Sequence, residues 1–340
     1  MILVVTTRDH RYTHESLHRE PTLDLDVVTY DDILRRRAPR KATHIFTDLD
    51  RLSDWELHEA ALLYRDLKSR GFTVLNDPAR FLGRFGMLRG LNRDGHNQFD
   101  VYRVDSCERP KRWPVFLRLE GNHAAPVSGL IDNEEDLAKA IREAVDQGAP
   151  LSALLTIEYA AEPIRPGVFR KLSVFRVGDR FLGYTCVHED NWIVKYGKAG
   201  VASDDMYEEE HALVRDNPFA DAVKPAFDLA GIDYGRVDFG LVEGKPQIYE
   251  INNNPFVDLS PKREAASLRK ASGALFRANY LQAMTEIDSF PRPAWQSTSA
   301  SLARTVRHSP PRIRRLAASL IKKAIPRNEE EPSTPASDRA

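Results

Sequence analysis

Cysteine is scarce in this chain: Cys107 and Cys186 are the only two, far apart, with no second ligand pair beside either. That pattern argues against a disulfide framework and against a zinc knuckle, and it fits a reducing, cytoplasmic setting. An excess of one charge is missing too. The 49 basic and 50 acidic side chains leave a formal net charge of −1, so no global field calls for a nucleic acid or a membrane surface as partner. Long apolar runs are absent. The first, Met1 to Val5, is too short for a secretory core or a membrane span and is soon followed by Arg8, so it reads as a β-strand. No internal repeat and no Ser-His-Asp or Cys-His arrangement stands out.

What remains is an ordinary globular composition, 42% apolar and 29% charged over 340 residues, long enough for two core-bearing domains. In the first ninety or so residues, short apolar runs alternate with helical stretches. Strands are expected at Ile2 to Thr6, Leu25 to Tyr30, His44 to Thr47 and Phe72 to Leu75, the rhythm of a parallel α/β layer. One helix is announced by a Ser53/Glu56 capping box, an apolar face of Trp55, Ala60, Leu63 and Leu67, and Gly71 past its end. Another is expected from Asp77-Pro78 through Phe81, Phe85, Leu88 and Leu91. A first boundary falls near Gly95.

Beyond it the pattern predicts a strand from Pro114 to Leu119, a loop of small residues to Ser128, a helix opening at Asp132, and a strand from Leu154 to Tyr159. A hairpin follows, Phe169 to Val177 and Phe181 to Val187 around Gly178-Asp179. Helices between Asp204 and Gly231 break at Asn217-Pro218; a last hairpin spans Gly235 to Asn252, and a helix covers roughly Lys262 to Thr285. After Phe290 the composition turns to Pro, Ser, Arg and Lys. The fold class is α/β (α+β), divided into 1–95, 96–288 and a tail, 289–340.

The last hairpin carries the chemistry. Centring its turn on Gly244 sets Asp238 opposite Glu250, and the two-residue side-chain period puts Asn252 on the face of Glu250. Two carboxylates roughly 5 Å apart at Cβ repel each other unless a cation lies between them. Two acids and an amide suit Mg²⁺, with Mn²⁺ as a substitute. Gly240, on the same face, would leave room for a nucleotide. The competing reading makes Asp238 and Glu250 solvated residues on an exposed face.

The run Glu250-Ile251-Asn252-Asn253-Asn254-Pro255, with an Asp on the partner strand, resembles the metal-binding signature of the ATP-grasp superfamily, which includes glutathione synthetase and the bacterial glutamate ligases. The resemblance covers roughly residues 75 to 285 and implies ATP and Mg²⁺ as cofactors, a nucleotide-clamping lobe at 96–158 and a metal-bearing lobe at 159–288. It implies that Glu158, Tyr159 and Ala160 bracket adenine through backbone groups of a hinge strand. Arg84 and Arg118 align where such ligases carry phosphate-contacting lysines, and Arg118 in an apolar strand is the stronger of the two. The covering loop, Glu120 to Pro126, has one glycine where several are usual, and His123 is its candidate phosphate contact. Arg170, Lys171 and Lys195 are candidates for the cation beside the transferred phosphoryl group. Alternation sends Arg170 and Lys171 to opposite faces, so at most one serves. His188 and Trp192 are expected to pack or to shape the substrate side.

The resemblance implies a carboxylate-amine ligase working through an acyl phosphate, with an unidentified carboxylate and amine as partners. A small-molecule kinase and a nucleotide-binding regulatory module without turnover are the alternatives. The tail has nine Arg or Lys and no acid between Pro291 and Arg327, with helical apolar spacing from Ile313 to Ala324. Self-docking is favoured there over contact with an anionic membrane. Substrate identity and oligomeric state are not legible.

Overall fold

Four short apolar runs spread over the first seventy-five residues set the N-terminal layer. The computed structural model describes residues 1–35, 40–259 and 266–290; the expected tail helix and the first residues of the expected helix at Lys262 lie outside them. Strand β1 (Ile2–Thr6) leads through a 3-10 stretch and α1 (Glu15–His18) to β2 (Leu25–Thr29), α2 (Tyr30–Leu34) and β3 (Thr43–Phe46). Then come α3 (Asp54–Ser69) and β4 (Val74–Leu75), completing a parallel sheet of order β2-β1-β3-β4. All of β1 and β3 is buried, as strands covered on both faces require.

The capping box expected at Ser53 is present: its side chain accepts from the Glu56 N–H, and Glu56 reaches back to the Ser53 N–H. The helix buries Ala60, Tyr64 and Leu67, whereas Trp55, expected on that face, is 70% exposed. A second difference follows Asp77-Pro78. The chain turns there without becoming helical, and α4 (Arg84–Arg93) starts only after Gly83.

Next, β5 (Val101–Arg103), β6 (Val115–Leu119), α5 (Glu134–Asp146) and β7 (Leu154–Glu158) build a small antiparallel sheet of order β5-β7-β6. Sequence reading missed β5, whose three residues are too few to show a period. The side chain of Asn133, not Asp132, caps α5, accepting from the Asp136 N–H.

The larger antiparallel sheet begins with β8 (Phe169–Val177) and β9 (Arg180–Glu189), joined at Gly178-Asp179. Helices α6 (Asp204–Asp216) and α7 (Ala220–Ala230) are separated at Asn217, which takes a left-handed conformation. Strands β10 (Tyr234–Val242) and β11 (Lys245–Asn252) complete the order β11-β10-β8-β9, and α8 (Ser267–Glu286) follows. Helix α6 lies close on β9: a Cβ at Gly183 would stand 2.0 Å from the Leu213 carbonyl oxygen, so only glycine allows the approach. The chain is thus a mixed α/β protein with one parallel and two antiparallel sheets.

Candidate active site

Asp238 pairs with Glu250 across β10 and β11, as expected, but not by the turn count that suggested it. The turn is two residues, Glu243-Gly244, both at positive φ, between Val242 and Lys245. Counted outward from there, Asp238 would face Tyr249. A bulge after Asp238 makes Tyr249 the extra residue and moves the pairing to Glu250. The same bulge corrects the role given to Gly240. A Cβ there would lie 2.2 Å from the Tyr249 hydroxyl, so its bare face receives the Tyr249 ring and leaves no room for a nucleotide. The Tyr249 hydroxyl donates to the Ala160 carbonyl at 2.9 Å.

Neither carboxylate stands on an exposed face, Asp238 being buried and Glu250 20% exposed at its side chain, and cationic side chains surround them. Asp238, 1% exposed, accepts from Ser173 Oγ at 2.9 Å and Arg236 Nε at 2.8 Å, and Lys171 Nζ lies 3.3 Å away. Burial pushes its carboxyl up, but Arg236 and Lys171 outweigh that and hold it below the usual carboxylate range. Glu250 accepts from Arg84 Nη2 at 2.5 Å and lies 3.3 Å from Arg118 Nη2. Burial and the Asp238 charge raise its carboxyl, and Arg84, Arg118 and Lys171 bring it below the usual range. The repulsion expected between the pair is therefore relieved by side chains, without requiring a metal. Among the described residues, four cations (Arg84, Arg118, Lys171 and Arg236) around two carboxylates leave a formal surplus of two positive charges, which suits a polyanion.

Arg84 and Arg118 differ sharply. The Arg84 side chain is turned inward, 7% exposed: Nη1 donates to the carbonyls of Leu119, Glu120 and Asn122 at 3.1, 2.7 and 3.2 Å. Among the described residues Arg118 holds only the long Glu250 contact, and its buried Nε has no partner there. Burial, with Arg84 beside it, brings the Arg118 guanidinium down to about 10 despite Glu250.

Lys171 faces Asp238, whereas Arg170, its neighbour in sequence, reaches across to Glu209 of α6. Lys195 lies in the loop after β9, although the apolar run Trp192-Ile193-Val194 before it reads as a strand; its ammonium sits 5.4 Å over the Tyr196 ring. His123 Nε2 meets Asp50 of the N-terminal layer at 2.6 Å, while Nδ1 is buried without a partner among the described residues. Asn252 lines the cleft with Asp238 and Glu250, and its buried Nδ2 also lacks a partner among the described residues.

Two clefts meet at this cluster. The first runs between the small sheet and the β11-β10 hairpin; Phe116, Tyr159 and Trp192 line it, with the Trp192 ring 5.0 Å from Phe116 and 5.8 Å from Tyr159. Trp192 therefore lines this cleft and not the second one. Glu158 turns its carboxylate away from the opening, accepting from the N–H groups of Asp100, Lys111 and Arg112 and from the Tyr102 hydroxyl. Tyr159 donates its N–H to Pro114 at 2.9 Å. The second cleft, about 480 Å³, opens toward His10, Tyr12 and Arg51 of the N-terminal layer and toward Tyr184, Arg236 and Arg269. His123, Lys171, Lys195, Asp238 and Glu250 line both.

Several members of the site escaped the sequence reading. Arg236 stood two residues from Asp238, and strand alternation puts both on one face, so that signal was available. Ser173, Phe116 and Asp50 gave none, because tertiary contacts alone bring them in.

No family model and no curated protein matches the chain. Among solved structures it is similar to a D-alanine–D-alanine ligase from Bacillus anthracis complexed with ATP, at 10% identity over 84% of this chain and 98% of that one, with a TM-score of 0.45. It is similar to an N5-carboxyaminoimidazole ribonucleotide synthetase from Thermus thermophilus at 14% identity over 84% and 78%, with a TM-score of 0.49. An ATP-grasp RimK domain protein from Sphaerobacter thermophilus matches at 15% identity over 82% and 99%, with a TM-score of 0.43.

Proposed function

We propose that this chain is an ATP-grasp enzyme, an ATP-dependent carboxylate-amine ligase with the nucleotide in the first cleft and the acceptor in the second. The observation that carries the reading is the junction itself. An acid pair with surplus positive charge stands where an aromatic-walled slot opens into a second, polar cavity. Adenine is a flat aromatic with a donor and an acceptor edge, which suits Phe116, Trp192 and the extended backbone at Tyr159 and Ala160. Arg118 and Lys171 have donors to spare for phosphate oxygens, and His123 has an unused ring nitrogen.

Asp238, Glu250 and Asn252 suit Mg²⁺ by donor type, and the unpartnered Asn252 amide is the group a cation would satisfy once its oxygen is turned inward. When bound, the ion would neutralise phosphate charge. The chain's own residues position the reactants. Lys171, 3.3 Å from Asp238, would hold the transferred phosphoryl group from the β8 side, and Arg118 would hold it from the β6 side. A substrate carboxylate in the second cleft attacks the γ-phosphorus, ADP leaves, and an amine displaces phosphate from the acyl phosphate to give the amide. At about 480 Å³ the second cleft suits a small polar acceptor.

The test has two stages. MgATP should raise the thermal midpoint of the wild type but not of Glu250→Ala or Asp238→Ala. Turnover is then measured against amino acids, peptides and polyols. ADP with phosphate and an amide supports the ligase, a stable phosphoester would make it a kinase, and binding without turnover on any of them would make it a regulatory module. No shift at millimolar MgATP would remove the nucleotide reading altogether.

A further inference from the structure

Cys186 and His188 stand two residues apart on β9, so both side chains leave the strand on one face, the face that α6 covers. Glu209 of α6 closes a triangle with them. Cys186 Sγ lies 3.7 Å from His188 Nε2 and 3.6 Å from Glu209 Oε2, and His188 Nε2 lies 4.0 Å from that same oxygen. Among the described residues this is the one group of three such donors gathered so closely. Cys186 and His188 are buried and Glu209 is one-third exposed at its side chain.

We propose that Cys186, His188 and Glu209 bind one Zn²⁺ ion. The geometry is close to what the ion demands. A tetrahedral zinc about 2.3 Å from sulfur and about 2.0 Å from nitrogen and oxygen spaces its donors roughly 3.3–3.6 Å apart. The two edges to sulfur exceed this by roughly 0.1–0.2 Å and the His188–Glu209 edge by roughly 0.7 Å, a gap that a movement of the one-third exposed Glu209 side chain would close. Thiolate and imidazole favour zinc over magnesium or calcium, which prefer oxygen alone. Thiolate and carboxylate together offset the two charges of the ion.

The support around the ligands fits as well. Glu209 presents Oε2 to the triangle while Oε1 accepts from Arg170 Nη1, the kind of outer hydrogen bond that fixes a ligating carboxylate. A water would take the fourth position, as in zinc sites with three protein ligands. On binding, the Cys186 thiol releases its proton to solvent and His188 coordinates as neutral imidazole. The site lies on the side of β9 away from Thr185 and Val187, which line the second cleft, so it is separate from the Asp238–Glu250 cluster. It would tie β9 to α6 and, through Glu209, steady Arg170 at the wall of the first cleft. A search for paired cysteines passes over it, because the ligands are one cysteine, its neighbour on the strand and an acid from a distant helix.

The experiment uses Co²⁺ as a spectroscopic substitute, with the full chain carrying Cys107→Ser so that Cys186 is the only thiol. Stoichiometric Co²⁺ should produce thiolate-to-cobalt absorption in the near ultraviolet with tetrahedral visible bands. One equivalent of Zn²⁺ should abolish them, and excess Mg²⁺ should not. Cys186→Ser should lose the near-ultraviolet band, and His188→Gln and Glu209→Gln should each weaken binding by at least about tenfold. If Cys186→Ser does not fold, protection of the Cys186 thiol from a disulfide reagent by Zn²⁺ in the Cys107→Ser chain replaces it. Absence of the band at saturating Co²⁺, unchanged affinity in both His188→Gln and Glu209→Gln, or no protection by Zn²⁺ would overturn the proposal. None of these readouts involves ATP, so they stand apart from the nucleotide reading.

Discussion

Replacing Arg84 by alanine should damage the fold more than the nucleotide site, and replacing Arg118 should do the reverse. Arg84 is 7% exposed at its side chain, with one arm on Glu250 and the other on three carbonyls of the segment after β6. Its loss leaves Glu250 with only the 3.3 Å Arg118 contact and three acceptors to be rehydrated. Breaking a buried pair by removing one partner costs about 3–5 kcal/mol. Rehydration through the cleft lowers the carbonyl share, so the expected total is about 3–4 kcal/mol. At roughly 2–4 °C per kcal/mol, the slope of somewhat shorter chains and thus an upper bound here, the thermal midpoint should fall by at most about 6–16 °C.

Arg118→Ala removes one long contact and a guanidinium whose Nε is already unpartnered, so its stability cost should stay near 1 kcal/mol. Its effect should appear in nucleotide titration, as a loss of affinity of roughly tenfold or more, with Arg118→Lys recovering part of it. Urea unfolding of the two apo variants, read with a nucleotide titration of each, makes the comparison. An Arg84→Ala protein as stable as wild type, or equal losses of affinity in both variants, would refute the reasoning.

Three other outcomes are expected. Both carboxyls of the pair are held below their usual range in the folded state, so the stability they confer is complete above the unfolded carboxylate value of about 4 and is lost as pH falls below it. Urea midpoints from pH 6 to pH 3 should drop less steeply for Asp238→Asn than for wild type, and parallel slopes would remove Asp238 from the acid response. Trp192→Ala takes away the ring shared by Phe116 and Tyr159 and should weaken ATP by about tenfold at roughly 1–1.5 kcal/mol per aromatic contact; an unchanged dissociation constant would move adenine elsewhere. Removing residues 292–340 should leave ATP binding intact, because every residue assigned to the site precedes them, and co-sedimentation with anionic liposomes should not differ between the full and shortened chains. Salt-sensitive binding by the full chain alone would favour membrane contact.

The sequence by itself determined most of the longer elements and their order, though not the short β5 or the true start of α4. Alternation over β8, β10 and β11 and the capping box at Ser53 are local signals, set by backbone geometry and by residues within a turn of one another. The acid pair was legible for the same reason, although the count that found it assumed the wrong turn and a bulge restored it. Tertiary structure decided what surrounds the pair. Arg84 and Arg118 arrive from elements more than a hundred residues before Glu250, and Asp50 meets His123 from the N-terminal layer. No period or spacing encodes such meetings, because they depend on which faces of distant elements are buried together. The same holds for Glu209: its place beside Cys186 and His188 depends on the close approach of α6 to Gly183, a contact between backbones that has no signature in either segment alone.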